Sequence, residues 1–152
     1  MKSFRFEQIL RIKKQLEEIR KSELAKQNQI LNGYIEKKLE FESKLSETKN
    51  QLKFIYNGVF SPDEARYYSR FMGSLRKKID IQNQLIYYQQ MKVEEKRKEL
   101  VDSMIEKKKY ERLKEKFMIG LANELKHMEN KELDRIISYK IYKNLGDDGV
   151  RK

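Results

Sequence analysis

Cysteine is absent from this 152-residue chain, proline occurs once and histidine once. Without cysteine there is no disulfide framework and no thiolate metal site, as suits a reducing cytoplasm. One proline and six glycines leave few places for the chain to reverse, which excludes folds that need many turns. The lone histidine, His127, sits in a charged stretch, where an imidazole is more often a surface group than a ligand or base. Long apolar runs are missing as well. The longest, residues 117–122, falls far short of the roughly 18 residues that a membrane span requires. The first residues lead straight into charged sequence, so no signal peptide is expected.

What remains is rich in charge and in helix formers. Charged residues make up 39% of the chain, and Ala, Glu, Lys, Leu, Arg and Gln dominate nearly every window. Such a composition cannot fill a layered core, but it can bury a narrow stripe along a helix. The net charge is +11, about +5 in residues 1–60 and +6 in the remainder, so the excess is spread and not held in a tail. It attracts anionic partners in general, although ion pairs four residues apart account for many of the individual charges.

The apolar residues repeat in heptads. Ile9, Ile12, Leu16 and Ile19 step by three and four, the spacing of a coiled-coil seam. The phase slips near Glu23 and resumes at Leu24, Leu31, Tyr34, Phe41, Leu45, Leu52 and Ile55, with Lys38 and Thr48 as weak members. One helix over about 3–57 explains the pattern, roughly 80 Å long at 1.5 Å per residue. Asn57-Gly58 then supplies residues that tolerate positive φ and end helices. Ser61 suits an N-cap, Pro62 the first helical position, and Glu64 the third, where it completes a capping box. Residues 58–61 are therefore a reversal too short for anything else, and short connections make antiparallel neighbours.

A second helix over about 62–143 carries its own seam: Met72, Leu75, Ile79, Ile86, Val93, Leu100, Tyr110, Phe117 and Leu121. Gln82, Gln89, Lys96, Ser103, Lys107 and Lys114 interrupt it. Residues 144–152, with two glycines and two aspartates, are expected to be disordered. The fold expected is all-α, a single antiparallel two-helix coiled-coil hairpin over 1–152 with a longer second helix. Folding about Val59 makes facing residue numbers sum to roughly 119, which exhausts the first helix near residue 113. Some thirty residues of the second would then project unpaired, about 45 Å of helix.

Catalytic chemistry finds no footing. Gly33, Gly73 and Gly120 stand singly in helical pattern, with no glycine-rich phosphate loop. Glu17-Glu18 and Glu94-Glu95 point to different helix sides, against general acid–base work. No carboxylate cluster has metal-ligand spacing, and two helices enclose no pocket. We expect no enzyme activity, no cofactor, no metal and no small-molecule ligand. The aromatics are informative: Tyr56, Phe60, Tyr67, Tyr68 and Phe71 gather about the turn, and Tyr87-Tyr88 follows. Adjacent rings sit about 100° apart on a helix, so one seam cannot bury them all, and exposed aromatics are enriched at protein contacts.

Three segments carry a family resemblance. Phe4-Arg5-Phe6-Glu7-Gln8-Ile9-Leu10-Arg11-Ile12-Lys13 resembles the opening of the FliJ family, small coiled-coil components of the bacterial flagellar type III export apparatus. The mid-chain turn followed by Ser61-Pro62-Asp63-Glu64, with Tyr68, Phe71 and Leu75 after it, is similar to the family's centre. Asn130-Lys131-Glu132-Leu133-Asp134 resembles its terminal segment. The resemblance spans nearly the whole chain. It implies a cytoplasmic stalk, peripheral at the cell membrane, similar in fold to the gamma subunit of rotary ATPases. Its terminal end would enter the hexameric export ATPase ring and promote its assembly and activity. Phe4, Phe6, Ile9, Phe117, Leu121, Leu125, Met128, Leu133, Ile136 and Tyr139 are the candidates for that end. The other end would reach the cytoplasmic domain of the export-gate membrane protein through Tyr56, Phe60, Tyr67, Tyr68, Phe71 and Leu75. Export chaperones are further implied partners. The alternative is a basic coiled-coil module that binds nucleic acid, suggested by Arg76-Lys77-Lys78 and Lys107-Lys108-Lys109. Acidic residues mixed through the basic ones argue against it.

Overall fold

The computed structural model describes residues 3–56, 58 and 61–148, with the side chains of residues 56, 147 and 148 excepted. Two helices account for almost all of them: α1, Glu7–Tyr56, and α2, Pro62–Asp148. They pack as an antiparallel hairpin whose second helix is the longer. Helix α1 begins later than residue 3. Residues 5 and 6 form a turn closed by the Glu7 amide donating to the Phe4 carbonyl at 3.1 Å. Helix α2 runs on through 144–148, where its glycine and aspartates led us to expect disorder.

The turn is built differently from the sequence expectation. Gly58 does not adopt a positive φ. Its amide donates to the Ile55 carbonyl at 3.0 Å, a three-residue bond that tightens the end of α1 in the manner of a 3₁₀ turn. At the start of α2 the Ser61 hydroxyl accepts the Asp63 amide at 3.3 Å, and the Ser61 carbonyl accepts the Ala65 amide at 3.2 Å. Ser61 is thus the N-cap, but Glu64 does not complete a capping box. Asp63 and Glu64 instead place two negative charges at the positive end of the helix.

Burial identifies the packing seams. On α2 every third or fourth residue from Ala65 to Leu121 is buried or half-buried, through Tyr68, Met72, Leu75, Ile79, Gln82, Ile86, Gln89, Val93, Lys96, Leu100, Ser103, Lys107, Tyr110, Lys114 and Phe117. This is the expected seam, polar members included. On α1 the seam is Leu10, Lys13, Glu17, Arg20, Leu24, Gln27, Leu31, Tyr34, Lys38, Phe41, Leu45, Thr48, Leu52 and Ile55, with no slip of phase. The apolar series Ile9, Ile12, Leu16, Ile19 therefore lies beside the seam and not in it. Leu10 is 2% exposed, whereas Ile12 and Ile19 are 61% and 54% exposed. Three charged positions, Lys13, Glu17 and Arg20, carry the heptad through this stretch.

The chain divides into two compact units, one of residues 1–13 and 106–152, the other of residues 14–105. In the second unit, Leu52, Leu75 and Val93 are the buried apolar side chains. Several polar seam positions are satisfied by specific bonds, whereas Gln82 Oε1 and Ser103 Oγ are buried without a hydrogen-bond partner among the described residues. Gln89 Nε2 donates to the Gln27 carbonyl at 3.0 Å and to Gln27 Oε1 at 2.7 Å. Thr48 Oγ1 donates to the Lys44 carbonyl at 2.8 Å. Arg20 meets Glu99 at 2.7 Å and Glu23 at 3.0 Å, while Lys96 meets Glu99 at 3.0 Å and Glu23 at 3.5 Å. Polar layers of this kind add little stability but penalise sliding, since a heptad slip would set a charge against leucine.

The network also sets a pH response. The Arg20 hydrogen bond, aided by the charge of Lys96, holds the Glu23 carboxyl below its ordinary range, and Lys109 does the same to Glu106. Hydrogen bonds to Glu99 and to Glu106 hold Lys96 and Lys109 above the ordinary lysine value. The carboxylates contribute fully above their unfolded pKa of about 4.3, and the contribution is lost as pH falls through the depressed folded values. The lysines contribute below about pH 10.4 and lose that contribution at higher pH. Thermal unfolding monitored by circular dichroism should show a plateau between these limits, with Glu23→Gln weakening the acid limb. An unchanged acid limb would contradict this assignment.

Candidate partner-binding surfaces

In the first unit, the N-terminal segment folds its rings onto α2. Phe4 lies 5.8 Å from Phe6 and 5.7 Å from Phe117, and Phe6 lies 6.1 Å from Tyr110, centroid to centroid. Glu7 meets Lys114 at 2.9 Å, and Lys13 meets Glu106 at 3.8 Å. Phe4, Phe6, Phe117 and Leu121 are half-buried, so they form a small aromatic core with only part of each ring left for another molecule. Coverage of α2 thus reaches Leu121. The sequence expectation that pairing ends near residue 113 is about two turns short. The physical reason is the turn at residues 5–6, which lets Phe4 reach Phe117.

Beyond Leu121 the character of α2 changes. Every described side chain from 122 to 146 is exposed. Leu125, Met128, Leu133, Ile136 and Tyr139 are all there, as expected, and Ile137, Ile141, Tyr142 and Leu145 join them. Ile137 and Ile141 fall off the heptad seam; Tyr142 and Leu145 stand whole heptads beyond Leu121 and Phe117, and Leu145 lies in the stretch expected to be disordered. Leu133, Ile137, Ile141 and Leu145 form a ridge at four-residue steps, while Ile136, Tyr139 and Tyr142 occupy the rest of the circumference at 100° per residue. From residue 133 onward apolar side chains occur on every side of the helix, interspersed with Asp134, Arg135, Lys140 and Lys143. Ile9 is 37% exposed, at the rim of the covered region.

In the second unit, the aromatics after the turn stack on one another. Tyr67 lies 5.6 Å from Tyr68, edge to face, and 6.5 Å from Phe71 with the planes 2° apart. Tyr67 and Phe71 are exposed and Tyr68 is half-buried in the seam. Leu75, expected at this surface, is 2% exposed and is a packing residue of the hairpin. Phe60 and the Tyr56 side chain lie outside the described residues. Phe54, 81% exposed on the last turn of α1, was missed by the sequence reading. Its position two residues past Leu52 places it off the seam, which was the available signal. Tyr87 and Tyr88 are both exposed, edge to face at 5.7 Å.

Among the described residues no group of three or more His, Cys, Asp or Glu is placed to hold a metal ion, and no helix is long and apolar enough to cross a membrane. The surfaces that the hairpin offers are apolar and aromatic, suited to protein contacts. Comparison with curated proteins returns no match, and comparison with solved structures returns none. The family model described as flagellar FliJ protein matches residues 1–146, nearly the full length. The chain therefore belongs to the flagellar FliJ protein family, whose members are structural components of the flagellar export apparatus.

Proposed function

We propose that the chain is a non-catalytic cytoplasmic stalk that links the export ATPase ring to the cytoplasmic domain of the export-gate membrane protein, and that it promotes assembly and activity of the ring. The observation that carries this reading is the exposed helix of residues 122–146, whose apolar side chains from Leu133 onward are spread round the circumference and not confined to one stripe. A helix with one apolar stripe calls for one neighbour, whereas large apolar side chains on several sides call for a partner that contacts more than one face. A hexameric ring with a central channel is such a partner. Helices in proteins draw most of their stability from tertiary packing, which this segment lacks, so it gains order on entry. Phe4, Phe6 and Phe117 brace its base. The stacked pair Tyr67 and Phe71 supports the second contact, with the export gate, and export chaperones are further candidate partners.

Hydrogen exchange tests the ring contact directly. Amides of 122–146 should exchange rapidly in the free chain and slow strongly when the ATPase hexamer is added, while those around Leu75 and Val93 stay protected in both. Equal protection of 122–146 in the two states would refute ring entry.

A further inference from the structure

Tyr67 and Phe71 begin a longer series. Continuing by steps of three and four leads through Ser74 and Lys78 to Ile81, Leu85 and Tyr88, all exposed and all in the second unit. This is a second heptad stripe on α2, about a third of the way round the helix from the seam. Ile81 and Tyr88 are 54% and 63% exposed, and Leu85 stands between them at the edge of exposure. An exposed face with coiled-coil spacing is shaped to receive another helix, knobs into holes.

On α2 itself the charge along this stripe is one-sided, while the glutamates of α1 nearby, Glu40 and Glu42, are paired with Lys44 and Lys38. Between residues 65 and 93, α2 carries Arg66, Arg70, Arg76, Lys77, Lys78 and Lys92 against the single acid Asp80. None of these six cations forms an ion pair with a described residue. Further along the same helix the pattern differs: Lys96, Arg97, Lys109 and Lys114 all meet glutamates within 3.2 Å. Lys78 and Lys92 stand in the stripe itself, with Arg70 and Lys77 along its outer border. The Lys78 ammonium is held over the Phe41 ring, 5.5 Å from its centroid, beside the stripe and without an anion.

We propose that the face of α2 from Lys78 to Lys92 binds an acidic amphipathic helix of another protein, with Ile81, Leu85 and Tyr88 as apolar contacts and Lys78 and Lys92 pairing its carboxylates. A second copy of this chain is the wrong occupant, because like cations would face one another across the contact and the net charge is +11. A lipid surface calls for a broad apolar face, not a stripe three residues long set among cations and amides. Residues 78–92 belong to neither surface of the proposed stalk, so this inference stands or falls separately from it.

Fluorescence anisotropy on the full chain tests it, using two labelled amphipathic peptides of about 21 residues, three heptads, with identical leucine seams. One peptide carries glutamate beside the seam and the other lysine. The glutamate peptide should bind about tenfold or more tightly than the lysine peptide. Ile81→Ser with Leu85→Ser should weaken it about tenfold while leaving the circular dichroism spectrum unchanged, as befits exposed positions. Lys78→Glu with Lys92→Glu should reverse the preference between the peptides. Equal affinity for the two peptides, or indifference to the serine pair, overturns the proposal. So does a concentration-dependent dimer abolished by Leu85→Glu, which would assign the face to a second copy. Leu85-dependent binding to phosphatidylglycerol vesicles that exceeds binding to the glutamate peptide would assign it to a membrane, and equally overturns the proposal.

Discussion

A chain cut after Ala122 is expected to fold as the intact hairpin does and to leave the export ATPase at its unstimulated rate. Everything that packs in the first unit lies before the cut: the rings of Phe4, Phe6, Tyr110 and Phe117, the Glu7–Lys114 pair, and buried Leu10. What the cut removes, residues 123–152, contains no buried described side chain. Thermal stability of the remainder should therefore change little, while a contact that the proposed stalk makes with the ring is deleted whole. Cutting after Leu113 would be less informative, since it would also remove Lys114 and Phe117 and confuse unfolding with loss of a partner. The reciprocal variant, Tyr67→Ala with Phe71→Ala, should keep full stimulation and lose gate binding by about 2 kcal/mol or more if these rings are hot spots. Stimulation that survives the cut would remove the ring from the proposed function. Gate binding that survives the double substitution would remove the aromatic site.

Leu10→Ala should destabilise the hairpin by about 2–3 kcal/mol, the lower part of the range for buried leucine, because a cavity between two helices opens partly to water. Ile12→Ala, only two residues away, should cost less than about 0.5 kcal/mol. The contrast is a direct measurement of the α1 seam. Leu10 is 2% exposed, as buried as Leu75, and Ile12 is 61% exposed. If the two substitutions had equal effects, the register of the N-terminal third of α1 would be wrong by about one residue, and the pairing of Glu7 with Lys114 with it. Chemical denaturation of the two variants, with unchanged m-values, decides the matter.

That contrast also shows where sequence is informative. The α2 seam was legible from Met72 to Leu121 because most of its members are apolar, and Gln82, Gln89 and Lys96 each stand three or four residues from isoleucine, valine or leucine on both sides. The same holds for α1 from Leu24 onward. Upstream, the seam passes through Lys13, Glu17 and Arg20, while Ile9, Ile12, Leu16 and Ile19 mimic a better seam on the adjacent face. Apolarity alone selects the wrong column there. What decides is the partner strand of contacts: Arg20 reaches Glu99 at 2.7 Å and Lys13 reaches Glu106 at 3.8 Å, interactions that no single-helix pattern encodes. The unpaired end of α2 was foreseen from unequal helix lengths, but its start moved from 114 to 122 because the turn before Glu7 and the Phe4 ring extend the cover. Gly58 illustrates a third limit. Its composition invited a left-handed cap, yet a tight three-residue bond closes the helix without one.

The polar layers have a consequence for how the chain folds. Their bonds span growing stretches of sequence away from the turn: 62 residues for Gln27–Gln89, 79 for Arg20–Glu99 and 107 for Glu7–Lys114. Formed alone, each would close a long loop and lose the corresponding chain entropy. Formed in order from the Ser61 cap, each closes only the short length left free by the one before it. The barrier then belongs to the turn-proximal layers around Leu52 and Leu75, and the Phe4–Phe117 layer forms after it is crossed. Changes near the turn should slow folding, whereas changes at Phe117 should mainly speed unfolding. Speed and durability are thereby assigned to different stretches of one hairpin, and the layer that loosens first is the one at the base of the uncovered helix.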